Sequence, residues 1–273
     1  MLNDLHGKSV LITGGTKGIG LATALAFGRQ GAHCTITHKW SSADEAAILR
    51  AFESAGAPQP DIVCADVRED ADTDMLMERM RSRCDRIEVF VSGAAFGHVV
   101  HSVDEYSRRS FVQSMEYTTW PLAGYLMAIR RTFGSYPRYA IGLSSGGPDD
   151  FHAHYDIVAA CKAAMEALCR YLAYRLGDED VRVNVVRARF AKTDSLWAMG
   201  GETFIPFIER FDPALFIEPA EIADAVLALC SGLMDGVNGQ VMMIDRGTSF
   251  GDNLMGMFDR GFQRSIPKGA GNA

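Results

Sequence analysis

The sequence predicts an α/β fold, with a doubly wound parallel sheet that carries helices on both faces. Three observations support this prediction. Short apolar runs of the β type alternate with longer helical stretches, a rhythm typical of such sheets. The 273 residues, of which 48% are hydrophobic and 22% charged, suit one large domain with a well-filled core. A glycine-rich turn also joins the first apolar run to the first helical stretch.

The predicted elements follow this alternation along the whole chain. The predicted strands are residues 9–13, 34–37, 61–65, 87–92, 139–144, 181–186 and 240–244. The predicted helices are residues 22–30, 43–54, 74–84, 110–132, 157–176 and 219–229. Because no internal repeat or low-complexity linker interrupts this order, residues 1–273 are predicted to form a single domain.

The turn after the first strand has the sequence TGGTKGIG at residues 13–20. Glycine permits a sharp turn at positive φ and lets backbone N–H groups approach a pyrophosphate, which then lies at the positive end of the following helix. The strand before it and the helix after it favour a Rossmann-type dinucleotide site over an ordinary turn. The predicted contact residues in this turn are Gly14, Thr16, Lys17, Gly18, Ile19 and Gly20.

The end of the second strand indicates which dinucleotide binds. No acidic residue stands where such folds hold the ribose 2′-hydroxyl, and an acid there would repel a 2′-phosphate. Lys39 and Lys17 would attract one, although both can also be ordinary solvated lysines. The sequence therefore predicts NADPH as the cofactor. Asp66 and Val67, which follow the third strand, are predicted to lie beside the adenine.

Charge and composition exclude several classes of protein. The formal net charge of −7 argues against a nucleic-acid partner, since affinity for a phosphate backbone comes from clustered Lys and Arg. The six cysteines form no Cys-x-x-Cys pair and indicate a reducing compartment. No signal segment and no apolar run of the roughly 20 residues that span a bilayer is found. A cytoplasmic protein without a membrane partner is therefore expected.

Three segments together carry a family resemblance. They are TGGTKGIG at residues 13–20, VRVNVV at residues 181–186 and GVNGQVMMIDRG at residues 236–247. With these segments the chain resembles the short-chain dehydrogenase/reductase family over nearly its whole length. Ordinary members carry a Tyr four positions before the catalytic Lys, but here Lys162 has Val158 at that place. Tyr155 stands seven positions before it, a spacing that resembles the divergent branch of enoyl-acyl-carrier-protein reductases.

The resemblance implies a role for each matching side chain. Tyr155 donates a hydrogen bond to the substrate oxygen, and Lys162 holds the nicotinamide ribose and favours the ionised phenol. Ser145 helps to bind the substrate oxygen, while Gly93 and Thr193 contact the cofactor. Tyr155 can instead be a packing residue, with Tyr117 or His154 as the donor. His152 and His154 form a His-x-His pair, but no further ligand pattern supports it, so no metal site is predicted.

Several other positions depart from the family pattern, among them Ser92-Gly93-Ala94-Ala95, which stands in place of Asn-Asn-Ala-Gly after the fourth strand. Thr118 stands where the family has its catalytic Asn, and Ala188-Arg189 replaces a Pro-Gly pair. These changes leave room for a redox-silent nucleotide-binding protein, or for a pocket that catalyses isomerisation or dehydration.

The leading hypothesis is an NADPH-dependent reductase that transfers hydride to a polarised C=C or C=O group. An apolar small-molecule, polyketide-like or acyl-carrier-bound substrate is expected, with reduction of an enoyl thioester favoured over the alternative, a ketoreductase of specialised metabolism. Residues 190–217, with Trp197, Met199 and several phenylalanines, are predicted to form a loop-rich lid over the substrate, and residues 248–273 a C-terminal tail. Apolar residues on more than one face of the helix at 157–176 predict a homodimer or homotetramer.

Overall fold

The computed structural model describes residues 4–39, 43–198, 201–211, 213–252 and 254–256. Within these ranges seven parallel strands form one sheet, in the order β3-β2-β1-β4-β5-β6-β7. The strands are β1 (Ser9–Thr13), β2 (His33–His38), β3 (Asp61–Cys64), β4 (Ile87–Ser92), β5 (Tyr139–Ser145), β6 (Arg182–Ala188) and β7 (Val241–Ile244). The predicted α/β fold is confirmed, and each predicted strand is found with its ends shifted by at most two residues.

Helices cover both faces of the sheet. They are α1 (Gly18–Arg29), α2 (Glu45–Ser54), α3 (Asp70–Arg81), α4 (Arg108–Thr118), α5 (Trp120–Phe133), α6 (Asp156–Arg175), α7 (Asp194–Ala198), α8 (Gly201–Phe211) and α9 (Pro219–Leu229). Alternation along a strand sends successive side chains to opposite faces. Val10 and Ile12 of β1 therefore pack with α1, α2 and α9, whereas Leu11 packs with α3, α5 and α6.

The strand order places a crevice at the carboxyl edge of the sheet. From β1 the chain first builds outward to β2 and β3, then returns to the other side of β1 and continues from β4 to β7. Ligands of open α/β sheets bind at such a reversal, outside the carboxyl ends of the strands. The glycine turn after β1 and the loops after β4, β5 and β6 meet there.

One predicted helix is divided into two in the structure. The prediction of a single helix over residues 110–132 is replaced by α4 and α5, which are separated at Thr119. Pro121 lies in the first turn of α5, because its ring lacks an N–H group and clashes with the carbonyl of the preceding helical turn. The break leaves Tyr117 and Thr118 at the end of α4, beside the crevice.

Residues 190–217 form more helix than a loop-rich lid implies. They contain α7 and α8, and a parallel bridge between Ala191 and Ile217 joins the two ends of the segment. Ile205, Ile208 and Phe216 form a small apolar cluster of their own. The predicted lid residue Met199 and most of the predicted tail, residues 257–273, lie outside the described residues. Among the described helices, none has the length and apolar character needed to cross a membrane.

Candidate active site

A cavity of about 410 Å³ opens at the carboxyl edge of the sheet. The residues that the sequence analysis assigns to catalysis or to cofactor binding all line this cavity. These residues are Gly14, Thr16, Lys17, Gly18, Ile19, Gly20, Lys39, Asp66, Val67, Gly93, Ser145, Tyr155, Lys162 and Thr193. The structure therefore brings together residues that are up to 179 positions apart in the chain (193 − 14 = 179).

The glycine turn leaves room for a ligand only because it lacks side chains. Gly14 has φ of +66°, and a Cβ there would lie 2.9 Å from the backbone nitrogen of Ala94. A Cβ on Gly20 would lie 2.2 Å from the carbonyl oxygen of Gly14. Lys17, the N-cap of α1, makes no side-chain capping bond. The N–H groups of the first turn therefore remain for an anion, and this cradle fits the pyrophosphate of a dinucleotide.

A charged cluster occupies the part of the cavity beside β2 and β3. The ammonium of Lys39 contacts both the carboxylate of Asp66 and the hydroxyl of Tyr117, which donates to Asp66 Oδ2 at 3.1 Å. Burial lowers the pKa of Lys39, but the bonds to Asp66 and Tyr117 outweigh it and raise that pKa overall. Lys39 is thus a paired lysine, not a solvated one, and a 2′-phosphate would compete with Asp66 for it.

His38 is a site residue that the sequence reasoning did not identify. Its side chain is buried, lines the cavity, and its Nδ1 atom has no hydrogen-bond partner among the residues that the structure describes. A buried polar atom without a partner is costly, so it indicates a ligand group at this point. His38 therefore fits a contact to the adenosine ribose of a bound dinucleotide. The sequence could have indicated His38 as a site residue, because it stands at the carboxyl end of the apolar run of β2.

Tyr155 lies immediately before α6, as its N-cap residue. Its hydroxyl donates to Ser145 Oγ at 3.0 Å, at the end of β5. Its ring packs over Gly147, where a Cβ would lie 2.7 Å from the ring. Burial raises the pKa of Tyr155 above its ordinary value, although the bond with Ser145 acts in the opposite direction. The phenol therefore keeps its proton at neutral pH, and the effect of Lys162 on its ionisation stays a prediction.

Lys162 lies two turns further along α6 and is buried. Its Nζ atom donates to the carbonyl oxygen of Leu143 at 2.5 Å. Burial lowers the pKa of Lys162 to about 8, since a charged ammonium is poorly solvated inside the protein. Lys162, Tyr155 and Ser145 line the same cavity, so the structure can present an ammonium and two hydroxyls to one ligand.

A buried ion pair lies directly behind these groups. Arg187 of β6 binds both carboxylate oxygens of Glu166, which follows Lys162 by one helical turn. Ser144 donates to Glu166 Oε1 at 2.6 Å, and Arg187 also binds Asp149 in the loop after β5. The network therefore connects β5, β6, α6 and the loop that leads to Tyr155.

The alternative donors do not reach the catalytic end of the cavity. Tyr117 is held by Lys39 and Asp66, beside β2 and β3. His154 has φ of +66°, its Nδ1 lies 3.2 Å from the carbonyl oxygen of Val100, and it does not line the cavity. In the ranges that the structure describes, no group of three or more His, Cys, Asp or Glu side chains is placed to hold a metal ion.

Comparison with known proteins assigns the family. The sequence model described as enoyl-(acyl carrier protein) reductase matches residues 14–249, which is most of the chain. The chain belongs to the short-chain dehydrogenase/reductase family. The resemblance predicted from the sequence is thereby confirmed, and the protein is an oxidoreductase that uses a nicotinamide cofactor.

Individual relatives are distant but cover the whole domain. An enoyl-[acyl-carrier-protein] reductase [NADH] from Aquifex aeolicus is 25% identical over 266 residues, covering 94% of this chain and 95% of the relative. The 3beta-hydroxysteroid dehydrogenase 1 of Eggerthella lenta is 26% identical over 258 residues, covering 90% and 95%. A crystal structure of a dehydrogenase/reductase from Sinorhizobium meliloti has a TM-score of 0.79 at 24% identity, covering 89% of this chain and 96% of that chain. The last likeness shows the fold alone.

Two departures from the family pattern, at Val158 and at Thr118, have a structural explanation. Val158, at the usual position of the family's Tyr, packs against Gly97, where a Cβ would lie 2.0 Å from Val158 Cγ2. Thr118, at the usual position of the catalytic Asn, donates to the carbonyl oxygen of Phe96 at 3.0 Å and accepts from its N–H at 3.2 Å. Val158 and Thr118 thus fix the loop after β4 and do not contribute polar groups to the cavity.

The lowered pKa of Lys162 predicts how its contribution to stability depends on pH. In the unfolded chain a lysine titrates near 10.4, so between pH 8 and about 10.4 the unfolded state binds more protons than the folded state. The unfolding free energy of the wild type should therefore rise with pH in this window, relative to that of Lys162→Met. Urea titrations at pH 7, 8, 9 and 10 measure this difference.

The exposed lysine Lys8 provides a control, since Lys8→Met removes a charge without removing a buried ammonium. The difference in unfolding free energy between Lys8→Met and the wild type should stay constant from pH 7 to pH 10. A constant difference for Lys162→Met as well would contradict a lowered pKa at this lysine.

Proposed function

We propose that the protein is an NADPH-dependent reductase of an enoyl thioester, whose acyl group is carried by a carrier protein or resembles a polyketide. One observation carries the proposal. The hydroxyls of Tyr155 and Ser145, 3.0 Å apart, line the same cavity as the buried ammonium of Lys162 and the glycine cradle. This shared lining supports a hydrogen-bond donor beside the nicotinamide of a bound cofactor.

The cradle at Gly14 to Gly20 would hold the pyrophosphate of the cofactor, and Lys162 would hold the nicotinamide ribose. When bound, the reduced nicotinamide supplies the hydride that adds to the β-carbon of the substrate and is itself oxidised. Negative charge then develops on the thioester oxygen, where Tyr155 donates its hydrogen bond and stabilises that charge. A proton that derives from water adds to the α-carbon and completes the saturated thioester.

The raised pKa of Tyr155 supports this role, because a phenol that keeps its proton is a hydrogen-bond donor at neutral pH. Ser145 accepts the single proton of Tyr155 in this structure, and that proton would turn to the thioester oxygen when a substrate binds. Leu196 lines the cavity, and in the same segment the ring centres of Phe190 and Phe204 lie 5.5 Å apart. We propose that residues 190–217 act as a lid that limits the access of bulk water during hydride transfer.

A ketoreductase is the second candidate. The same donor can protonate the oxygen of a ketone as hydride adds to its carbon. The relative from Eggerthella lenta, named as a hydroxysteroid dehydrogenase, favours this alternative because its name refers to an alcohol substrate.

Replacement of the donor tests the proposal. With crotonyl-CoA and NADPH, the wild type should oxidise NADPH, and Tyr155→Phe should lower kcat by about two orders of magnitude, since it loses a donor to the developing oxyanion. NADPH binding should survive. The decay of absorbance of the reduced nicotinamide measures turnover, and Tyr171→Phe, an exposed position on α6, is the control.

Each other result points away from this proposal. An unchanged rate in Tyr155→Phe removes that residue from the mechanism. Turnover of ketones alone would identify a ketoreductase, and product formation without loss of NADPH would identify an isomerase or dehydratase. Binding of NADPH with no turnover on either class of substrate would identify a redox-silent protein.

We propose NADPH as the cofactor because two lysines, Lys39 and Lys17, line the cavity near the adenosine end. Lys39→Ala should raise the dissociation constant of NADPH at least about tenfold and that of NADH by less than about threefold, since only the former carries a phosphate for this charge. Fluorescence titration of each cofactor measures both constants, with Lys8→Ala as the control.

The Aquifex aeolicus relative is named as an NADH enzyme, so the opposite result is a real alternative. Equal weakening of both cofactors by Lys39→Ala would mean that Lys39 serves only its ion pair with Asp66.

We also propose a homodimer or homotetramer that packs through α4, α5 and α6. These helices contact one another and expose large apolar side chains: Phe111, Val112, Trp120, Met127, Tyr171 and Tyr174. Sedimentation at micromolar concentration should give a dimer or tetramer, and the double variant Tyr171→Glu, Tyr174→Glu should weaken it. Leu233→Glu, an exposed apolar residue after α9, should not. A wild-type monomer would reject this interface.

A further inference from the structure

Two arginines at the end of β6 have opposite surroundings. Arg187 is buried and donates to Glu166 and Asp149. Arg189 donates no hydrogen bond to any residue in the described ranges, and its Nε atom is buried without a partner. Its nearest acid is Asp150, whose carboxylate lies 3.5 Å away as a loose ion pair. Arg187 is therefore fully used by the fold, whereas the donors of Arg189 remain for a ligand.

Arg189 lies in the catalytic half of the cavity. It lines the cavity together with Ser145 and Tyr155. Its Cγ atom is 3.5 Å from the point where a Cβ on Gly146 would lie, just as the ring of Tyr155 covers Gly147. Gly146 and Gly147 are consecutive, with Cα atoms about 3.8 Å apart. The side chains of Arg189 and Tyr155 therefore lie over neighbouring residues of one loop.

The charges around Arg189 define what it can bind. Its guanidinium lies 5.4 Å from the ring centre of Phe190, which blocks solvent on that side. Asp150 faces it, with a carboxylate oxygen 3.5 Å from the guanidinium. Burial lowers the pKa of the neighbouring His152, so this imidazole is neutral at pH 7. Asp150 therefore faces Arg189 directly, while the nearby cations Arg187 and Lys162 are each bonded to other groups.

We propose that Arg189 binds a carboxylate group of the substrate, a few atoms from the carbon that is reduced. The planar guanidinium matches a carboxylate with two parallel hydrogen bonds. A singly charged carboxylate can take the place of Asp150, whereas a doubly charged phosphate would be repelled more strongly by that acid. This inference rests on the proposed reductase function and narrows its substrate to a thioester whose acyl chain also carries a free carboxylate.

Binding of saturated product analogues tests the inference without turnover. Glutaryl-CoA ends in a carboxylate, and valeryl-CoA has the same chain length with a methyl group at the end. With NADP⁺ bound, the wild type should bind glutaryl-CoA at least about tenfold more tightly by calorimetry. Arg189→Met should abolish this preference, and Arg189→Lys, which keeps the charge, should retain part of it. Arg170→Met, at an exposed position of α6, should leave the preference unchanged.

The corresponding substrates give a second readout. Glutaconyl-CoA should have a higher kcat/KM than 2-pentenoyl-CoA in the wild type, and this ratio should fall to about one in Arg189→Met. Equal binding of the two analogues by the wild type overturns the inference, as does a preference that persists in Arg189→Met. A loss of NADP⁺ affinity in that variant, without a change in the preference, would assign Arg189 to the cofactor instead.

These experiments separate a failure of the reductase function from a failure of the carboxylate site at Arg189. Reduction of crotonyl-CoA without any preference for a carboxylate would leave the reductase function and remove the role of Arg189. A preference for glutaryl-CoA in binding, with no reduction of any enoyl thioester, would leave the carboxylate site and remove the enoyl reductase.

Discussion

The buried ion pair between Arg187 and Glu166 determines how the catalytic groups are arranged. Removal of both charges from water is costly, and the cost is offset only when every donor and acceptor finds a partner. Here Ser144 and Asp149 complete the hydrogen bonding. Loss of one member of such a pair leaves an uncompensated buried charge, at a cost of about 3–5 kcal/mol. Ser144, which binds Glu166, directly precedes Ser145, and Glu166 lies one helical turn from Lys162. The ion pair therefore holds Ser145 and Lys162 at a fixed spacing.

The fold was predictable wherever the pattern of apolar residues alone determines an element. The central strands β1, β4, β5 and β6 are runs buried on both faces, and such runs are visible in the sequence. The break at Thr119 was missed because the apolar pattern continues through it, although Pro121 marked a helix start. The beginning of α3 was missed because Asp70 and Asp72 give no apolar period. They are acids in a first turn, where the helix dipole favours negative charge.

The site was predictable in its members but not in their interactions. The spacing of glycines predicts a cradle from local geometry alone, and its residues do line the cavity. The pairing of Lys39 with Asp66 and Tyr117 depends on three elements far apart in the chain, so no local pattern indicates it. The pKa values of Tyr155 and Lys162 are shifted chiefly by burial, which only the packed structure defines. Arg189 was visible only as a departure from a family pattern.

The seven-residue spacing between Tyr155 and Lys162 has a steric cause. A Tyr at position 158 would stand on α6 itself, one turn before Lys162, but that place is filled by Val158 against Gly97. Because Tyr155 lies just before α6, the loop after β5 and not the helical period directs its ring. That loop brings the ring over Gly147, where no larger residue fits, and Asp149 fastens the loop to Arg187. The phenol therefore reaches Ser145 from outside the helix, and the spacing in sequence can change while the arrangement of hydroxyl and ammonium around one cavity is kept.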